Sequence, residues 1–516
     1  MKRYLLFTVF ASGMTTLAAE LAAGRLIGNV YGTSNLVWAS IIGLILIYLT
    51  FGYTLGGRWA DKNPTPFAMY RILAWGAFTL GIVPYISTPV LRAAATAFDG
   101  FDFAVMGGAF VGVLVLFSVP ITLLGTISPF AIRLSMDDTA HAGVTAGNIY
   151  AVSTLGSFIG TFLPVLVLIP TIGTTRTFLV FSVFLLCVAL AGMALHGERK
   201  QAIVHLWMAI VLALIATLGS GQSLKVSQGQ VYETESAYNY IQVIEQDGFT
   251  MLRLNDGQGV HSVYHPDVLF YNGPWELFLV GPFFNADMDP TDVLRIGIVG
   301  LAAGTAARQA TAVFGPIPID GWEIDPVIVK VGREYFGMTM PNLNVYAEDG
   351  RYGLEHSPYQ YDILAVDAYR PPYIPPHMTT LEFFQMAASH LTPRGVLTIN
   401  VGRAPNDRSL INGLATTLAQ IFPSVHIMDI PGTLNSMVYA TVQPTTPEAF
   451  ANNYLRFTND PAVHPLLMQS MSVAYTHLQP GYETTMVFTD DRAPIEWLTN
   501  NLVINFILHG DVESLQ

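Results

Sequence analysis

Charged side chains are scarce in this sequence. Asp, Glu, Lys and Arg make up 12% of its 516 residues, about half the share expected of a soluble globular protein. Cysteine is all but missing. Cys187 stands alone inside an apolar run. No intrachain disulfide and no cysteine-built metal centre can therefore form, and the thiol reads as a small packing group. Basic residues number 24 against 37 acidic ones. Residues 223–516 hold no basic patch, so no nucleic-acid partner is expected. There is no phosphate-gripping G-x-G-x-x-G and no Walker lysine, which disfavours NAD and ATP. His265, His356 and His377 fall at no metal-ligand spacing, and no metal is expected.

What charge there is lies unevenly. Residues 1–222 carry 11 Lys and Arg and 7 Asp and Glu, a net of +4, and residues 223–516 carry 13 and 30, a net of −17. The first part reads as a membrane domain and the second as an acidic soluble one. A bilayer core needs about 20 apolar residues in a helix. Seven stretches qualify: 4–28, 35–56, 67–90, 104–129, 145–170, 177–196 and 202–219. The third is interrupted by Arg71 and Pro84. Lys2 and Arg3 ahead of an apolar run also fit a signal peptide. Glu20 and Arg25, together with the spans that follow, fit an ordinary first helix better. Gly156 and Gly160 form a G-x-x-x-G, which permits close helix approach and, with it, a homo-oligomer. Glu20 and Arg25 are five residues apart, about 500° of helix rotation, so they do not stack on one face. Pairing with other helices is the expectation for both, or for Arg25 a reach to the interface.

Lys and Arg counts set orientation. With the N-terminus inside, the inner segments carry Lys2, Arg3, Arg58, Lys62, Arg71, Arg133, Arg199 and Lys200, and the outer loops only Arg92 and Arg176. Seven spans then put the acidic domain outside, six without the interrupted 67–90 stretch put it inside, and the side stays open.

The soluble part opens, after a Gly/Ser/Gln-rich linker at 219–235, with a β pattern. Tyr238, Tyr240, Ile241, Val243 and Ile244 lead into the hairpin signal Gln246-Asp247-Gly248. From about 293 strands alternate with helices. Strands are expected at 293–299, 317–322, 343–347, 361–366, 395–401, 424–430 and 435–443, with helices ending near Phe314 and spanning 327–336, 379–391 and 408–421. Such alternation implies a mostly parallel sheet with right-handed crossovers. The expected organisation is a transmembrane domain at 1–222, a β unit at 223–285 and a Rossmann-like domain at 286–516. Ligands of such sheets bind beyond the carboxyl ends of the strands. Four successive strands end there in Gly300–Gly304, Glu323 with Asp325, Asp349 with Gly350, and Asp367. The glycines allow backbone to approach a ligand. Glu323 lies 23 residues past Gly300, close to the spacing of an acid that accepts from ribose hydroxyls. In register, the four point to a nucleoside site.

These residues resemble the spermidine synthase (polyamine aminopropyltransferase) family, in particular its bacterial branch with N-terminal membrane helices. The motifs are YETESAYNYIQV (232–243), LNDGQGVHSVY (254–264), IVGLAAGT (298–305), WEIDP (322–326), EDGR (348–351), DAYRPPYIPPHMTTLEFF (367–384) and TDDRAPIEW (489–497). The resemblance implies a small β domain before a methyltransferase-like Rossmann domain, in a multi-pass protein of the bacterial inner membrane. It implies decarboxylated S-adenosylmethionine as aminopropyl donor, an amine as acceptor, and no metal. Glu323 would bind ribose, Asp349 and Gly350 adenine, and Asp367 would deprotonate the attacking amine. Tyr238, His261, Trp275, Glu276, Tyr369 and Arg370 fall on the acceptor side. Three positions depart from the pattern. Ala303 replaces an acid of the glycine loop, which admits intact S-adenosylmethionine as donor. Arg370 replaces an acid that holds the acceptor amine, and a guanidinium suits a carboxylate or phosphate instead. His261 stands where a glutamine is usual. The other functions in view are a different S-adenosylmethionine-dependent transferase or lyase, and a non-catalytic transporter or partner subunit. Asp490 or Asp491 is expected to cap a helix beginning near Pro494. The proline-rich stretch 371–376 reads as a gate over the site.

Overall fold

The computed structural model describes residues 2–31, 35–98, 104–136, 141–218, 227–255, 259–369, 374–404, 407–458, 460–499 and 501. The chain forms two compact units, Met1–Val226 with Thr234–Tyr240, and Ser227–Glu233 with Ile241–Gln516.

The first unit holds seven helical stretches long and apolar enough to cross a membrane: Lys2–Gly28, Val37–Lys62, Pro66–Leu91, Gly107–Ser135, Ala142–Ile172, Thr174–Leu195 and Arg199–Leu218. Each covers most of one of the seven expected spans. Helices α1 (Lys2–Tyr31), α2 (Asn35–Lys62) and α3 (Pro66–Phe98) are continuous. Pro84 does not break α3, and one turn on, Ser87 Oγ donates to the Pro84 carbonyl at 2.7 Å. The fourth span divides at Thr126 into α4 (Ala104–Gly125) and α5 (Ile127–Ser135). The fifth begins as α6 (Ala142–Leu163) and passes into a wider π turn at Pro164–Leu168, where the ring of Pro164 cannot serve the regular ladder.

Helix α6 lies against α1 through small residues. Gly156 meets the carbonyl of Phe10 and Gly160 that of Met14, with no room for a Cβ at either. Ser157 Oγ donates to the Gly13 carbonyl at 3.2 Å. The G-x-x-x-G is therefore used within the chain, where lipid offers no hydrophobic drive and close backbone approach supplies the attraction. Asp61 and Arg133 form an ion pair at 3.3 Å, joining the ends of the second and fourth spans. Arg25 donates to the carbonyls of Ser236 (2.6 Å) and Tyr238 (3.0 Å), so its charge reaches the end of the bundle.

The second unit contains a four-stranded antiparallel sheet in the order β1 (Gln230–Glu235), β2 (Tyr240–Gln246), β3 (Phe249–Leu254) and β4 (Val260–Tyr264). Asp247 and Gly248 turn β2 into β3 with φ of 53° and 83°, the left-handed pair that a two-residue hairpin needs. Seven further strands follow: β5 (Ile296–Val299), β6 (Ile319–Trp322), β7 (Leu343–Tyr346), β8 (Tyr361–Val366), β9 (Leu391–Gly402), β10 (Ser424–Asp429) and β11 (Asn435–Thr441). Their spatial order is β10-β11-β9-β8-β5-β6-β7. The five strands from β5 to β9 run parallel, and β11 and β10 close one side antiparallel. The parallel strands are apolar on both faces because helices cover both. Phe283, Ile298 and Met437 fill one layer; Leu364, Phe384 and Leu414 fill the other. The order reverses between β5 and β8, and that reversal places the site.

A leucine at position 156 would collide with the Phe10 carbonyl. Gly156→Leu is expected to destabilise the helical unit by about 1–3 kcal/mol, read as a lower unfolding midpoint of the detergent-solubilised chain.

Candidate functional site

At the reversal of strand order the first βα turn meets the end of β8. Gly300 has φ +88°, and a Cβ there would lie 2.5 Å from the Asp367 carbonyl. A side chain is thus excluded twice, by conformation and by space. Asp367 N donates to the Val299 carbonyl at 2.8 Å, the last rung of the β5/β8 ladder. Gly304, at φ +87°, starts the helix Thr305–Phe314. Between them the turn is pinned to its neighbours. Gly300 and Leu301 donate their N–H groups to the Trp322 carbonyl, at 3.0 and 2.9 Å.

Glu323 holds the turn from the next strand. Its Oε2 accepts from Ala302 N at 2.9 Å and its Oε1 from Asp325 N at 3.0 Å. Burial pushes this carboxyl up to about 7 against those bonds. Each oxygen keeps lone-pair capacity beyond its one N–H partner, so donors from a ligand can be accepted. Asp325 is fully buried and takes Val327 N at 3.0 Å, capping the helix Pro326–Tyr335. Asp349 divides its oxygens. Oδ1 accepts from Arg351 N and Tyr352 N, both at 3.0 Å, and Oδ2 lies 3.2 Å from His377 Nε2. The bond from His377 holds this carboxyl below its usual range. Gly350 begins the helix Gly350–Glu355 and lies against the Val299 side chain.

Asp367 is enclosed by protein but keeps partial solvent access. Burial raises its carboxyl to about 7, opposed by one hydrogen bond from Asn400 Nδ2 to Oδ1 at 2.9 Å. Asn400 sits on β9, one residue beyond the Val366–Ile399 pair of the parallel ladder, and its Oδ1 is buried without a partner. Sequence reasoning passed over it. The available signal was a lone amide inside the apolar run 396–402. His377, which falls at no metal-ligand spacing in the sequence, pairs with Asp349. Asp490 is one of the two acids, with Asp491, expected to cap the helix near Pro494. Instead its two oxygens take Arg351 Nη1 and Nη2, both at 2.7 Å, and Thr380 Oγ1 at 2.6 Å.

The expected acceptor residues divide. His261 lies on β4, and its neighbour Ser262 accepts from Ala303 N at 3.0 Å, which docks β4 on the glycine turn. Its Nε2 is buried without a partner, and burial lowers the imidazole to about 4, so it is neutral at pH 7. Ala303 is fully buried among Ile241, Leu252 and Ile328. Tyr369 ends near β9, where its hydroxyl accepts from Gly402 N at 2.7 Å and donates to the Asn400 carbonyl at 3.2 Å. Trp275 packs in the core. Glu276 is buried too, accepting from Gly273 N (2.9 Å), Tyr271 N (3.2 Å) and Gln309 Nε2 (2.9 Å), an internal scaffold for the loop 271–276. Tyr238 belongs with the helical unit. Arg370 and residues 371–373 of the expected gate lie outside the described residues.

With this geometry in view, residues 287–453 match the spermine/spermidine synthase domain. A "Probable polyamine aminopropyl transferase" of Bifidobacterium longum is 30% identical over 280 residues, 52% of this chain and 61% of that protein. A "Polyamine aminopropyltransferase" of Vibrio vulnificus is 26% identical over 247 residues, 46% of this chain and 80% of the other. A human "eEF1A lysine and N-terminal methyltransferase" is 28% identical over 173 residues, 30% of this chain and 24% of the other. The C-terminal half is polyamine-aminopropyltransferase-like in sequence.

The two raised carboxyls have a thermodynamic consequence. A folded-state acid that titrates near 7, and near 4 when unfolded, holds its proton in the folded chain alone between those values. Stability then falls as pH rises from about 4 to about 7 and levels off above. Asp367→Asn removes one such group. The variant is expected to be more stable than the parent above pH 7, by about 1–3 kcal/mol, with the advantage vanishing near pH 4 in denaturant titrations.

Proposed function

We propose that the second unit is a transferase that binds decarboxylated S-adenosylmethionine and passes its aminopropyl group to an amine. The observation that supports it is the enclosed Asp367 carboxyl at the reversal of strand order, with Glu323 and Asp349 at the ends of β6 and β7. Glu323 would accept from the ribose hydroxyls. Asp349 and Gly350 would take the adenine edge. Gly300 and Gly304 let backbone come close to the nucleoside.

An ammonium has no lone pair to attack with. The ionised Asp367 takes one proton from it, and the freed nitrogen attacks the carbon bonded to the sulfonium. The carbon–sulfur electron pair goes to sulfur, and methylthioadenosine leaves as a neutral thioether. Two cations beside Asp367 favour its charged form, offsetting the burial that holds it near 7. Asn400 acts through Asp367, by the bond it donates to the carboxylate.

Ala303 supports a second reading. Its position offers no acid to hold an ammonium on the donor tail, so intact S-adenosylmethionine is not repelled, and the likeness to a methyltransferase fits that donor. The experiment supplies decarboxylated S-adenosylmethionine with putrescine or spermidine and measures methylthioadenosine. Release is expected, falling about 100- to 10,000-fold in Asp367→Asn. The rate of the parent should rise with pH through about 7, and Asn400→Leu should move that limb upward, because the lost bond favoured the carboxylate. No release with either amine, together with binding of the intact nucleoside about tenfold tighter, would assign the second donor.

We further propose that the protein is integral to a bacterial inner membrane through the seven helices. The Lys and Arg count places the chain after Leu218 outside the cytoplasm. A C-terminal alkaline phosphatase fusion is expected to be active in cells; an inactive one, with a fluorescent C-terminal fusion that matures, would put the soluble unit inside.

A further inference from the structure

Helix α1 carries a polar line through the first span. Thr8, Ser12, Thr16 and Glu20 follow one another at steps of four, and Thr15 stands three beyond Ser12. Residues so spaced share one side of a helix. Thr8, Ser12, Thr15 and Thr16 are buried. Two of the hydroxyls bond back to their own helix, Thr8 to the Tyr4 carbonyl and Thr16 to the Ser12 carbonyl, each at 2.9 Å. The Thr15 hydroxyl has no partner, and neither has the buried Tyr48 hydroxyl on α2.

Glu20 ends the line. Among the described residues it has no hydrogen bond and no ion pair. Arg25, the nearest cation along α1, turns to the Ser236 and Tyr238 carbonyls instead. An unpaired carboxyl inside a span is costly and marks a site rather than a scaffold. The next turn supplies a second feature. The Trp38 indole rests on Gly24, four residues beyond Glu20, so closely that no Cβ fits there. Glu20 and Gly24, the residue on which the ring rests, stand four residues apart, about 6 Å along the axis, on the same side of α1. A carboxylate next to an indole recognises an ammonium by charge and by the ring face. A metal ion would need more ligands, and no group of three His, Cys, Asp or Glu that could hold one occurs among the described residues.

We propose that the helical unit binds an organic ammonium ion at Glu20, against the Trp38 indole. This site is separate from the nucleoside site of the second unit and does not depend on its assignment.

The test uses the full chain in lipid nanodiscs and radiolabelled tetramethylammonium, which has no nitrogen lone pair and cannot serve as an acceptor. Saturable binding is expected. It should weaken about tenfold or more in Glu20→Gln and again in Trp38→Leu. It should persist in Asp367→Asn. Unfolding midpoints equal to the parent's show that Glu20→Gln and Trp38→Leu are assembled, a midpoint no lower than the parent's shows it for Asp367→Asn, and Trp38→Leu carries the test if Glu20→Gln is not. Binding unchanged in the assembled variants, binding lost only in Asp367→Asn, or no saturable binding to the parent overturns the proposal.

Discussion

The soluble unit depends on a contact between two stretches of backbone. At Gly300 the chain leaves β5 in a left-handed conformation and rests against the peptide of Asp367 at the end of β8. Those strands are neighbours in space because the sheet starts in the middle and is built outward on both sides. Two βα turns therefore open away from each other at this point, and a crevice results from connectivity alone. The same contact encloses the Asp367 carboxyl. Enclosure raises its proton affinity, and the single bond from Asn400 limits the rise. A carboxyl poised near neutral pH is thus a consequence of strand order and burial. It needs no special charge nearby.

Glu323 shows how the turn is kept in place before any ligand arrives. Its bonds to Ala302 N and Asp325 N tie the first βα loop to the second. A buried carboxyl near its midpoint is an unfavourable thing to fold around. The loop tie and the ligand capacity that remains on both oxygens are what it returns. Asp349 repeats the arrangement one strand further out, with one oxygen given to a helix terminus and the other turned to His377. Both acids have a structural task within the fold. A cap or a tie consumes one or two lone pairs and leaves others free.

The strands of the parallel sheet and the ends carrying Gly300, Glu323, Asp349 and Asp367 were legible because periodicity and turn chemistry act over a few residues. The seven apolar spans were legible for the same reason. What escaped the sequence needed long-range pairing. Asn400 meets Asp367 only through the β8/β9 register. Asp490 finds Arg351 across 139 residues. Glu276 meets Gln309 Nε2 across 33 residues of chain, along with two nearby backbone N–H groups. Gly156 and Gly160 read as a pairing motif without a partner, and the partner is α1 of the same chain.

The helical unit constrains the chemistry from another direction. The ion pair of Asp61 with Arg133 lies at the end of the unit rich in Lys and Arg. Arg25 and Thr174 belong to the other end. There Glu235 accepts from Thr174 N at 2.6 Å and Thr174 Oγ1 at 2.9 Å, and Arg25 takes the Ser236 and Tyr238 carbonyls. The segment 234–240 is thus fixed at the charge-poor end by side chains of the helical unit itself. The hydroxyls of α1 and the unpaired Glu20 are the polar groups this span offers. Glu20 in this span and the net −17 of residues 223–516 have the same sign, so both parts of the chain favour cations over anions.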